Sequence, residues 1–271
     1  MSKFIKNALF DQISGSGPVL LNVPHAGTVV PDALRDALRP EALELCDTDW
    51  HMDRIAQDVL PEDGSLLVAK VSRYAVDLNR PSDDVPLYQT ATTGLISTID
   101  FDGTRLYREG MAPDAQARSA RIARYWEPYH AALQAEIDRI RAAHGFCLLL
   151  DVHSIRSRVP RLFEGRLPDL NLGTNSGASC ADALSDAVFG AIGDKGFSVV
   201  RNGRFTGGHI TRHYGDPANG VHVMQIEIAQ DCYMIEHSPW TYVPEKADRL
   251  KVALTGLVGA MMDFQPEGVR T

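Results

Sequence analysis

The run Phe146-Cys147-Leu148-Leu149-Leu150-Asp151-Val152 constrains the fold more than any other feature of the chain. It is short, almost wholly apolar, and follows directly on a long helical pattern. In that pattern Ile122, Trp126, Tyr129, Leu133, Ile137 and Ile140 recur at three- and four-residue steps, one apolar stripe on a helical region opened by Pro113. Gly145 suits its C-terminal cap, and Pro128 must kink the helix or divide it. A helix that delivers the chain into a buried strand is the repeating unit of α/β proteins, and the rest of the sequence continues it. Strands are predicted at 19–23, 66–71, 74–78, 197–201 and 221–228, with helices at 32–45 (interrupted by Pro40), about 50–60, 178–192 and 244–262. Segments 81–112 and 154–177 lack periodicity, and 207–215 is a polar stretch bounded by glycines. Strands alternating with helices give an α/β class with a largely parallel or mixed sheet, read most simply as one domain over 1–271.

Composition narrows the function. The 271 residues are 44% hydrophobic and carry a formal net charge of −8, so the basic footprint that nucleic acid requires is missing. Four scattered cysteines (Cys46, Cys147, Cys180, Cys232) form no CxxC and no disulfide framework, which fits a reducing compartment. The longest apolar run, near 252–262, is too short for a bilayer, and no targeting signal is visible. A cytoplasmic protein without membrane or nucleic-acid partners is the expectation; oligomeric state is not legible.

Several candidate strands lead into polar chemistry. His25 follows the strand at 19–23 and a proline, and His153 follows the strand at 146–152. Ligands of open α/β sheets bind outside the carboxyl ends of strands. Two neutral imidazoles placed there suit a catalytic zinc, which takes three protein ligands plus water. For the third, segment 46–53 offers Asp49 first, with Asp47, His51 and Asp53 not excluded by spacing; Asp49 also reads as a plain helix N-cap. Asp151 is placed to orient His153, or to serve as a buried structural carboxylate. Asn79 and Arg80 close another predicted strand, a planar fork beside an amide, and suit a carboxylate. Arg73 is a candidate for polarising a scissile carbonyl, or a surface ion pair. Glu227 interrupts an apolar run, as a general base near a reactive water would, unless alternation turns it to solvent. Arg212, in the glycine-bounded segment, is a candidate second anion contact or a solvated loop residue. Arg156, Arg158, Arg161 and Arg166 crowd one irregular segment, and most are expected to be solvated or paired.

Taken in order, these motifs resemble the N-formylglutamate amidohydrolases (N-formylglutamate deformylases) of histidine degradation. The resemblance runs nearly end to end and rests on Asn22-Val23-Pro24-His25-Ala26-Gly27, Asp47-Thr48-Asp49-Trp50-His51, Ser72-Arg73-Tyr74, Asp77-Leu78-Asn79-Arg80-Pro81, Asp151-Val152-His153-Ser154 and Gly207–Gly215. More distantly the motifs are similar to zinc carboxypeptidases and aspartoacylase. The resemblance implies a three-layer α/β/α fold with a central mixed, mostly parallel sheet, and one Zn²⁺ or another divalent metal per chain. It implies that His25 and His153 are metal ligands, Arg73 the carbonyl-polarising arginine, Asn79 and Arg80 the carboxylate-binding pair, and Glu227 the base. The carboxypeptidase group takes its carboxylate ligand three residues after the first histidine. Here that position is Thr28, so Asp49 is assigned instead. The implied substrate is a small anionic N-acyl amino acid, N-formyl-L-glutamate. The alternatives are another N-acyl or N-formimidoyl acidic amino acid, and non-catalytic binding of an acidic amino acid.

Overall fold

Where a strand is buried on both faces, side-chain parity decides which layer each residue serves. A computed structural model describes residues 3–87, 91–193 and 195–266. Its strands are β1 (Lys3–Lys6), β2 (Phe10–Ser14), β3 (Val19–Val23), β4 (Ser65–Ala69), β5 (Cys147–Ile155), β6 (Leu170–Gly173), β7 (Val199–Arg201) and β8 (Val221–Ala229). They form one sheet in the order β1-β2-β4-β3-β5-β8-β6-β7. The central four, β4, β3, β5 and β8, run parallel; β2 joins β4 and β6 joins β8 antiparallel. The sheet is therefore mixed with a parallel centre.

The helices are α1 (Asp32–Ala37), α2 (Met52–Val59), α3 (Ala115–Arg121), α4 (Glu127–His144), α5 (Asp182–Gly193), α6 (His209–Tyr214) and α7 (Pro244–Met262). On one face Val19, Leu21, Leu148, Leu150, Met224 and Ile226 pack with Ile55 of α2, Leu184 of α5 and Leu254 of α7. On the other, Leu20, Leu67, Leu149 and Val223 pack with Tyr129, Leu133 and Ile137 of α4 and Ile210 of α6. The result is three layers. No helix among the described residues is long and apolar enough to cross a membrane.

Several elements differ from the sequence expectation. Residues 74–78 alternate like a strand but fold as a buried turn. Local bonds satisfy the backbone there: Ala75 N donates to Ser72 O, Arg80 N to Asp77 O, and Asn79 N to the Asp77 carboxylate (2.9 Å). Strand β5 runs on to Ile155, so His153 lies inside it rather than after it. Segment 154–177 contains β6, and the glycine-bounded stretch folds as α6. Helix α5 starts at Asp182 rather than 178, because Ser179 and Ala181 bond to Val223 and His222 of β8. The region after Pro113 does divide. A π turn at Ile122–Trp126 joins α3 to α4 and sets Pro128, which has no N–H to give, in the first turn of α4.

Candidate metal and active site

The parity that builds the core also builds the site. Asn22, Asp151 and Gln225 stand side by side across β3, β5 and β8, and His153 stands opposite Glu227 one pleat further on. These positions continue the series of Leu20, Leu149 and Val223 on the α4 side of the sheet. Polar groups replace apolar ones where the strands approach their carboxyl ends. His25 reaches the same place from the turn after β3, where Gly27 packs so closely on the Lys70–Val71 backbone that a Cβ would collide.

His25, Asp49 and His153 are all buried, and one potential ligand atom from each lies within 4.8 Å of the others. His153 Nδ1 is 3.1 Å from Asp49 Oδ2, and His25 Nδ1 is 3.9 Å from the same oxygen. The far nitrogens are held: His25 Nε2 lies 2.8 Å from Asp77 Oδ1, and His153 Nε2 lies 2.9 Å from Asp151 Oδ2. Donation from His25 Nε2 to Asp77 leaves its Nδ1 lone pair facing Asp49, the tautomer a metal needs. Burial opposes a charge on His153, but Asp151 and Asp49 raise its pKa well above the usual imidazole value, so a metal there would displace the proton its Nδ1 shares with Asp49. His25 Nδ1 and Asp49 Oδ1 are buried without a hydrogen-bond partner, an arrangement that costs stability unless a further group completes it. Two imidazole nitrogens and one carboxylate fit a divalent cation with an open coordination position.

Of the acidic and histidine candidates in 46–53, only Asp49 meets the histidines. Asp47 accepts from Phe101 N (2.9 Å), His51 Nε2 pairs with Trp240 O (2.7 Å), and Asp53 borders a different cleft beside β2 and β4. Asp49 does not cap α2; the cap position is His51, whose φ of 63° turns the chain away. The Asp49 carboxylate instead accepts from Ser154 N at 3.1 Å.

The other candidates surround this trio. Arg73 donates to Asp77 Oδ2 (2.7 Å), lies 3.5 Å from Asp49 Oδ1, and stacks on Phe101. Asn79 accepts from Ile210 N with its Oδ1 and places its Nδ2 3.2 Å from Asp151 Oδ2, so its amide braces the carboxylate behind His153. Arg80 grips Thr93 O and Thr92 Oγ1. Glu227 is buried beside Gln225 Nε2 (3.2 Å). Burial raises its carboxyl to about 8, with His153 opposing and Asp49 adding to the rise. Burial, seconded by the charge of Arg73, lowers the His25 pKa, so its imidazole is neutral at ordinary pH. Asp77 stays ionised: burial opposes this, but His25 and Arg73 hold its pKa well below the usual carboxylate range.

His25, Arg73, Asn79, Arg80, His153 and Glu227 line one cleft, a few polar and charged groups converging on one concave place. Arg212 is not among its lining residues; its guanidinium donates to Gly207 O and Thr206 Oγ1. Arg204 lines the cleft in its stead, a residue the sequence reading does not single out. Arg156 and Arg166 pair with Asp102 and with Asp169 and Asp231, as expected for most of that group. Sequence reasoning also leaves Asp77 and Gln225 without roles. The spacing Gln225-x-Glu227, like Asp151-x-His153, is the available signal, since residues two apart on a strand share a face.

A buried carboxylate, guanidinium groups and a trio of side chains able to hold a cation, gathered in this way, are groups with which hydrolysis at a carbonyl carbon can be carried out. A family model described as N-formylglutamate amidohydrolase matches residues 17–234, and the chain belongs to that family. The chain is 50% identical over 256 residues to an N-formylglutamate deformylase of Pseudomonas aeruginosa, covering 93% of this chain and 96% of that one. To an N-formylglutamate deformylase of Pseudomonas putida it is 46% identical over 254 residues, covering 93% and 95%. The crystal structure of N-formylglutamate amidohydrolase from Ralstonia eutropha JMP134 superposes with a TM-score of 0.80 at 28% identity, covering 94% of this chain and 98% of that one.

Proposed function

We propose that the protein hydrolyses N-formyl-L-glutamate to formate and L-glutamate, with a zinc ion held by His25, Asp49 and His153. The observation that carries this reading is that His25 and His153, grouped with the buried Asp49, line one cleft together with Glu227 and Arg73. The names of the two Pseudomonas relatives, each matched over 93% of this chain, support the substrate.

When bound, a divalent cation supplies Lewis acidity to the formyl oxygen and to a water molecule. The chain's own groups do the rest. Glu227 takes a proton from the attacking water as its oxygen bonds to the formyl carbon. Arg73 meets the negative charge on the formyl oxygen, its guanidinium already fixed by Asp77. As the C–N bond breaks, Glu227 returns the proton to the departing nitrogen. A carboxyl raised to about 8 by burial is a strong enough base for the first transfer and a good enough acid for the second. Asp77 and Asp151 hold the two imidazoles in place throughout.

Formate release from N-formyl-L-glutamate by purified, metal-analysed protein is the test, with a chelator-treated control. Metal-dependent release at about one zinc per chain is expected. A zinc-loaded protein that releases no formate overturns the substrate assignment.

A further inference from the structure

The wall of the cleft at residues 91–93 is held in an unusual way. Its three successive backbone carbonyls each accept from a different arginine. Ala91 O takes Arg204 Nη2 (3.1 Å), Thr92 O takes Arg161 Nη2 (3.2 Å), and Thr93 O takes Arg80 Nε (2.9 Å). Arg204 and Arg80, which hold the first and third carbonyls, line the cleft; Arg161, which holds the middle one, does not. The strap thus fixes two guanidinium groups in the cleft at sites two residues apart. Two residues of chain span at most about 7 Å.

The two arginines differ in their relation to the reacting centre. Arg80 follows Asn79, whose amide touches Asp151 and the ring of His153. Arg204, bonded to Ala91 O at the opposite end of the strap from Arg80, is also tied to Leu162 O (2.8 Å) and lies over the ring of Phe205. In an N-formyl amino acid the α-carboxylate carbon is three bonds from the formyl carbon, and the γ-carboxylate carbon of glutamate is five. The two carboxylate carbons lie about 5 Å apart when the side chain is extended.

From this geometry we infer that Arg204 binds the side-chain carboxylate of the substrate, while Arg80 binds the α-carboxylate nearer the trio. Arg204 is then the residue that selects a glutamyl substrate over neutral ones. The inference rests on the proposed reaction and deepens it.

The test compares wild type with Arg204→Ala and Arg204→Lys on N-formyl-L-glutamate and N-formyl-L-glutamine, which differ only in the γ-group. Binding of L-glutamate and L-glutamine by calorimetry runs alongside, and thermal unfolding verifies that each variant folds. In wild type the glutamyl substrate is preferred. Arg204→Ala lowers its kcat/KM by about 100-fold, mainly through KM, and leaves the glutaminyl substrate within about threefold. Arg204→Lys restores part of the preference. Equal losses on both substrates, or no loss on either, overturn the inference while leaving the reaction standing. If neither substrate turns over but L-glutamate still binds in an Arg204-dependent way, the clamp stands and the reaction falls. Absence of both turnover and Arg204-dependent binding overturns both.

Discussion

Glu227 is the residue on which the proposed chemistry turns. It lies on β8 directly opposite His153 and is buried, at 7% exposure, among apolar residues that are fully so. A glutamine there keeps the shape and the contact to Gln225 but carries no exchangeable proton of the right strength. Glu227→Gln is therefore expected to bind metal as wild type does and to lose turnover by about 10²–10⁴-fold. Metal content and formate release from the same preparation decide it, and near-normal turnover removes Glu227 from the base role. This residue was legible in the sequence because a carboxylate in an apolar run needs a reason. Asp49 was only partly so. Spacing leaves Asp47, His51 and Asp53 level with it, and the choice depends on the left-handed turn at His51 and the bond from Ser154 N, which are tertiary facts. Asp77 was not legible as a partner of His25. Those two residues meet only because the turn at 71–80 folds back on the turn after β3.

At the scale of elements, the same balance of local pattern and tertiary context decides what the sequence reveals. Strands β3, β5 and β8 and helices α4 and α7 have long or uniform apolar patterns, and the expected positions agree with the structure within a few residues. Segment 74–78 misleads because every residue in it is buried, so its alternation reports burial rather than pairing. The hairpin β1–β2 leaves no clear trace, since its pairing with β4 rather than its own composition holds it. One buried carboxylate ties this hairpin to α4. Glu136 accepts from Gln12 Nε2 (3.1 Å) and Ser14 Oγ (3.0 Å) and pairs with Arg139 (2.7 Å). Burial alone would raise its pKa, but the bonds from Arg139 and the serines lower it below the glutamate value of 4.5. In the window between the folded and unfolded pKa the unfolded chain binds more protons, so stability rises with pH there. The contribution is complete above about pH 4.5 and disappears as pH falls through the folded pKa. Urea unfolding of wild type and Glu136→Gln is expected to show a destabilised variant at pH 7 and a difference that shrinks on acidification below pH 4.5. A difference independent of pH would mean that packing, not charge, joins α4 to the hairpin.

Across the whole molecule, the proposed cation site joins parts of the chain that are distant in sequence. His25 follows β3, Asp49 precedes α2, and His153 lies within β5. An ion that binds all three can do so only in the folded state, because the unfolded chain does not hold them together. Its binding therefore adds to folding stability, by about 4 kcal/mol when the free ion is a thousandfold above its dissociation constant. For a chain of this size that corresponds to a rise in Tm on the order of 10 °C. Among the described residues there is a second grouping, Asp169, Asp231 and Cys232, but Arg166 already donates to both carboxylates there, at 2.6 Å and 2.8 Å. Occupation by a guanidinium disfavours a metal at that place and favours the buried trio over it. Chelation followed by readdition of zinc is thus expected to lower and restore Tm in wild type and to leave a folded His153→Ala variant unmoved. A shift that persists in that variant would assign the ion to other residues. An unchanged Tm in wild type would mean that His25, Asp49 and His153 hold no ion tightly enough to contribute to the fold.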